Sequence, residues 1–170
     1  MAPPPDGHKK VCKKAAKKIF TSVEADHAAA GGDPLSDAQW RRGDCLYFGR
    51  GVAKDEAAAA AMYRLGADVG NTSAQLRLAR CYETGRGVVK SAKEALKWLE
   101  RAADLDDRDA MWALAERFRD GKGTAANPAK MVVWLKRAAE AGHLKAQWAL
   151  GGCYYHGTGV AKDEAAAVSW

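Results

Sequence analysis

The chain is 170 residues long, 48% apolar and 28% charged, which is the balance of one soluble domain able to bury its own core. Abundant alanine, 8% aromatics and few β-branched residues favour helix over sheet. The net charge of +6 is unevenly placed: residues 1–20 hold six lysines against Asp6, whereas residues 21–170 carry 21 basic and 20 acidic side chains. A uniformly basic nucleic-acid-binding body is therefore excluded, and any affinity for polyanions belongs to the amino-terminal arm.

No run of about 18 apolar residues is present, so the sequence predicts no membrane-spanning helix. The opening "MAPPPDGHKK" lacks the apolar stretch of a secretory signal. The expected setting is cytoplasmic, with the nucleus as the alternative, and the cysteines are expected to be free thiols.

In chain order, residues 1–8 carry Pro3, Pro4, Pro5 and Gly7 and are expected to form a disordered tail. Residues 9–37 begin with "KKVCKKAAKKIF", in which Lys9, Lys10, Lys13, Lys14, Lys17 and Lys18 alternate with apolar pairs. A helix there is amphipathic, and its simplest role is an amino-terminal cap on the first repeat. The alternative is a basic arm for nucleic acid or an anionic surface.

From Ala38 onward the chain repeats itself. "GVAKDEAAA" occurs at Gly51–Ala59 and again at Gly159–Ala167, 108 residues apart, or three periods of 36. Cutting at that period gives units 38–73, 74–109, 110–145 and an incomplete 146–170, without insertion or deletion. All six tryptophans fall on two register positions: Trp40, Trp112 and Trp148 on one, Trp98, Trp134 and Trp170 on the other. Each unit predicts two helices. The first starts at the register alanine with apolar residues four apart, as in Ala74, Leu78 and Tyr82, and stops at a Gly-x-Gly pair such as Gly85/Gly87. The second opens on a cap residue (Asp55, Ser91, Asn127, Asp163), and Ser91-Ala-Lys-Glu94 has the form of a capping box. Gly70 and Gly142 end it. Asp106 stands in that position in the second unit, where a different or strained turn is expected. Stacked hairpins of this kind predict an all-α fold, an α/α right-handed superhelical solenoid of about four 36-residue helix-turn-helix repeats, the last incomplete.

The pattern Ala146, Leu150, Gly151, Tyr154, Gly157, Gly159, Val160 and Asp163, with Trp134, Leu135, Arg137, Ala138, Ala139 and Gly142 before it, resembles the Sel-one-like repeat family, relatives of tetratricopeptide repeats. Tetratricopeptide repeats proper fit less well, since their period is about 34. The resemblance implies a non-catalytic adaptor holding a protein or peptide partner on a concave surface. A cysteine-rich branch of that family carries a β-lactamase association. This chain has no Ser-x-x-Lys, so a hydrolase is the third and weakest expectation.

Cys45, Cys81 and Cys153 share one register, too far apart between repeats for disulfides. Cys153-x-x-His156 supplies two of the four ligands a structural zinc needs, so no metal or cofactor is expected. The partner surface is expected on variable first-helix positions: Arg41, Asp44 and Phe48; Arg77, Arg80 and Thr84; Glu116 and Asp120; Tyr155 and His156. Trp170 holds the register of Trp98 and Trp134, yet the helix around it has few residues left. The sequence therefore predicts a loosely held Asp163–Trp170, and a fragment or an end covered by further repeats or a partner.

Overall fold

The structure, a computed structural model, describes residues 34–170. The expected tail, the Lys-rich arm and nearly all of the expected cap lie outside the described residues. All regular structure among the described residues is helical: α1 (Pro34–Phe48), α2 (Glu56–Asp68), α3 (Thr72–Thr84), α4 (Ala92–Asp104), α5 (Arg108–Asp120), α6 (Pro128–Glu140), α7 (Leu144–His156) and α8 (Glu164–Ser169). No helix is long and apolar enough to cross a membrane, again among the described residues.

Each helix packs mainly on its chain neighbours, so four hairpins stack into an α/α solenoid with one continuous core. The spine of that core is small and regular. Leu78, Leu114 and Leu150 of the first helices are completely buried, flanked by Ala74, Ala110 and Ala146 at the same zero exposure. The second helices answer with Ala95, Leu99 and Ala102, then Met131, Leu135 and Ala138. Each buried leucine contributes about 2 kcal/mol of hydrophobic transfer, and the alanines let the helices approach closely enough to realise it.

One residue closes each hairpin at two atoms. The side chains of Asp55, Ser91, Asn127 and Asp163 accept the backbone N–H three residues on, at 2.9, 3.2, 2.9 and 2.9 Å. Their own backbone N–H groups donate back to Leu46, Tyr82, Phe118 and Tyr154 of the preceding helix, at 2.9, 2.9, 2.8 and 3.0 Å. This alters the capping box. Glu94 does not return to the Ser91 N–H, which Tyr82 already holds, and its carboxylate takes Lys97 Nζ at 2.6 Å instead.

The first helices begin two residues ahead of the register alanine, at Thr72, Arg108 and Leu144. Asn71, Asp107 and His143 cap them, the histidine through Nδ1 at 3.2 Å from the Ala146 N–H. A neutral imidazole nitrogen can accept as a carboxylate does, but histidine is absent from the usual cap signature. α1 likewise starts at Pro34, inside the stretch assigned from sequence to the cap.

In the second, third and fourth units the second glycine of the Gly-x-Gly pair does more than turn the chain. Gly123 has φ +82°, and a methyl there would run into the Ala92 carbonyl at the start of α4. Gly87 and Gly159 approach Glu56 and Pro128 in the same way. Each of these three turns thus docks on the second helix of the preceding repeat, which couples one hairpin to the next. Asp106 keeps the left-handed turn of Gly70 and Gly142, at φ +58°, and its carboxylate takes Arg137 Nη2 at 3.2 Å. The substitution is accommodated with the same backbone shape, at the modest cost an aspartate pays for that conformation.

Candidate protein-binding face

Between successive first helices, with a second helix as floor, the solenoid forms a slot that recurs at the same register positions. Its chemistry changes from one slot to the next.

The first slot lies between α1 and α3 and holds a cavity of about 160 Å³. Tyr47 and Phe48 line it from α1, Arg77, Arg80 and Cys81 from α3, and Arg86 from the following turn, over Tyr63 of α2. Beneath it, Asp44 accepts from Tyr63 Oη at 2.6 Å and from Arg77 Nη2 at 3.1 Å. Burial, reinforced by that bond to Asp44, pushes the Tyr63 hydroxyl above its ordinary value. Arg86 donates through Nη1 to Tyr47 Oη at 2.8 Å. The guanidinium of Arg50 sits 4.9 Å above the Phe48 ring, and Phe48 is 48% exposed.

In the second slot, Glu83 of α3 and Arg117 of α5 occupy the positions of Tyr47 and Cys81. They form an ion pair across it. Both side chains are largely covered, so the pair closes the slot with opposite charges rather than leaving it open.

The third slot, between α5 and α7, is the most apolar of the three. Its cavity of about 360 Å³ has Met131 and Leu135 as floor, Trp112 and Trp148 as walls, and Arg119 and His156 at the rim. Cys153 stands where Arg117 closes the slot before it, and Gly152 stands where α5 has Glu116. A Cβ added at Gly152 would meet nothing within 4 Å. Trp112 stacks on the His143 ring at 5.1 Å, whereas Trp148 is 84% exposed.

The sequence-derived candidates distribute over this face unevenly. Phe48, Arg77 and Arg80 meet at the first slot, and Glu116 and His156 at the third. Asp44 lies below the first slot as a structural acceptor. Arg41 stacks on Trp40 at 5.0 Å, and Thr84 turns its hydroxyl back to the Arg80 carbonyl at 2.9 Å. Asp120 is taken up by Arg119 and Lys122, whose hydrogen bonds hold its carboxyl down at about 2. Tyr155 faces the far side of α7, in a cavity shared with Trp148 and Trp170.

Tyr47, Arg86, Trp112, Arg119, Trp148 and Gly152 were not among the candidates. Tyr47 and Arg119 share the register of Tyr155, and Gly152 that of Asp44, Arg80 and Glu116, whereas Arg86, Trp112 and Trp148 stand in registers that no candidate occupied.

Little here suits nucleophilic chemistry. Burial pushes the Cys81 thiol up to about 11 and also raises Cys153, so neither is a thiolate at neutral pH. Cys45, Cys81 and Cys153 are free. Among the described residues, no three His, Cys, Asp or Glu side chains converge as a metal site would require.

The Sel1 repeat pattern matches residues 36–71, 72–107, 108–143 and 144–170, the same 36-residue period cut two residues upstream. No curated protein sequence matches the chain. Among solved structures, it is similar to c5321, a protective antigen of uropathogenic Escherichia coli with an SLR fold. That match has 28% identity and a TM-score of 0.77, over 89% of this chain and 32% of that one. It is also similar to a Sel1 repeat protein from Oxalobacter formigenes, with 32% identity and a TM-score of 0.76 over 90% of this chain and 64% of that one. Helicobacter pylori cysteine rich protein B shares the fold alone, at 20% identity and a TM-score of 0.57, over 81% of this chain and 93% of that one. The chain thus spans less than two thirds of the length of the first two.

Proposed function

The chain belongs to the Sel1 repeat family, and from that premise we propose that it is a non-catalytic scaffold binding a protein or peptide partner on its first-helix face. Sel1 repeat proteins are generally protein-interaction scaffolds. One observation carries the reading to this face: behind it, caps, glycines and core repeat from unit to unit, while the slots in front change from cationic to ion-paired to aromatic. A surface built on a fixed frame with changing side chains suits a partner of defined sequence better than a uniform polymer.

The test is affinity purification with the full chain beside a variant carrying Arg80→Glu and Glu116→Lys together. Both side chains reach solvent, so the fold should survive, as circular dichroism would show. Loss of the partners retained by the parent is expected; an unchanged set would overturn the assignment to this face. Removing residues 1–20 tests the alternative arm. Binding that disappears with those lysines and weakens steeply with salt would make nucleic acid or an anionic surface the ligand.

A further inference from the structure

We propose that this face reads one extended acidic segment of a protein partner: an Asp or Glu side chain enters the first slot, and a bulky apolar side chain enters the third. The inference rests on the scaffold function and names the chemistry of its partner.

The first slot has more positive charge than its own acids satisfy. Arg77, Arg80 and Arg86 converge on it against two carboxylates: Asp44, already shared by Tyr63 and Arg77, and Glu56, which acts on Arg86 from a distance and is paired with Lys54. Arg86 spends one N–H on the Tyr47 hydroxyl. The Arg80 guanidinium, among the described residues, has no hydrogen bond or ion pair at all. A guanidinium carries five donors, so most of those in this cleft point to no acceptor. A carboxylate, planar and bidentate, matches that geometry. The aromatic walls of Tyr47 and Phe48 lower the water content around it and strengthen the attraction.

Two slots further on the requirement reverses. Trp112, Trp148, Met131 and Leu135 offer an apolar cleft of about 360 Å³ with charge only at its rim, and the missing side chain at Gly152 leaves it open. Between the two, Glu83 and Arg117 neutralise each other and are largely covered, so a ligand backbone passes over them. Neighbouring helices lie about 8–10 Å apart, which puts the outer slots roughly 16–20 Å from one another. An extended chain covers that distance in about five or six residues at 3.3 Å each. A phosphate polymer fits poorly, because only one slot of the three is cationic.

The experiment measures fluorescence polarisation of the full chain with labelled decapeptides. Each has an Asp-Glu pair at one end, Gly and Ser elsewhere, and a single Phe moved one position at a time. Affinity is expected to peak at a separation of about five or six residues. Arg80→Glu should weaken every peptide by about tenfold, through loss of one charge-assisted contact. Gly152→Gln, which adds a side chain to open space on a helix, should abolish the preference for Phe while keeping that for acid. Affinity indifferent to the position of Phe, indifferent to Arg80→Glu, or exceeded by a single-stranded oligonucleotide of equal charge would overturn the proposal. A protein partner that ignores both substitutions would sink this inference and leave the scaffold function standing. Failure to bind any protein or peptide would remove both.

Discussion

Helices α4 and α8 start alike and end differently. Both follow a Gly-x-Gly turn, both carry a side-chain cap (Ser91 and Asp163), and a tryptophan stands in the same register of each, Trp98 inside α4 and Trp170 just past the end of α8. α4 runs for 13 residues and buries Ala95, Trp98, Leu99, Ala102 and Ala103, whereas α8 runs for six and buries none. Trp98 is 6% exposed and lies under Arg101; Trp170 is 37% exposed. The difference lies in the neighbours: α4 is held between α3 and α5, and among the described residues α8 packs mainly on α7. A capped, alanine-rich segment therefore forms its first turns against one neighbouring helix, while its apolar stripe acquires full stabilising value only when both flanking helices are in place.

The sharpest way to break this comparison is to remove one apolar side chain from each helix. Leu99→Ala should cost about 2–5 kcal/mol in urea unfolding, because its cavity lies in the continuous core. Val168→Ala, at a side chain 89% exposed, should stay within about 0.5 kcal/mol. Equal effects would mean that α8 is packed as firmly as α4.

Gly123→Ala attacks α4 from outside, through the turn that docks on the Ala92 carbonyl at a positive φ. A loss of about 2–4 kcal/mol is expected, seen as a lower denaturation midpoint, and a neutral result would show that this docking contact adds nothing. The smallest effect separates the caps. Ser91→Ala should lower global stability by about 1 kcal/mol. Asp163→Ala should leave the midpoint unchanged and only speed amide exchange within α8.

Much of the frame was legible in the residues. The second-helix caps, the paired glycines and the Ala-Leu spine follow rules that act within a few positions, so a single unit displays them. The first-helix caps escaped because Asn71, Asp107 and His143 differ in type, and the histidine accepts through a ring nitrogen that the cap signature omits. Asp106 shows the limit of a local rule from the other side. An aspartate in glycine's place suggested a different turn, yet the same left-handed backbone persists, anchored by Arg137 from the next repeat.

The face itself divides along the same line. Phe48, Arg77, Arg80, Glu116 and His156 could be named as variable positions on the first helices. That Tyr47 meets Arg86, or that Trp112 faces Trp148 across an open cleft, could not, since those pairs join separate repeats. Tryptophans that served as register marks turned out to be cleft walls, one of them almost fully exposed.

The sequence alone determined the period, the hairpin, its second-helix caps and its stops, because hydrogen bonds and backbone conformations of that kind are satisfied within about ten residues of chain. Only the tertiary structure decided which slot is cationic, which is closed by Glu83 and Arg117, and which is left open by Gly152. Those outcomes depend on how closely two helices some 36 residues apart approach, and on which side chains then share the space between them.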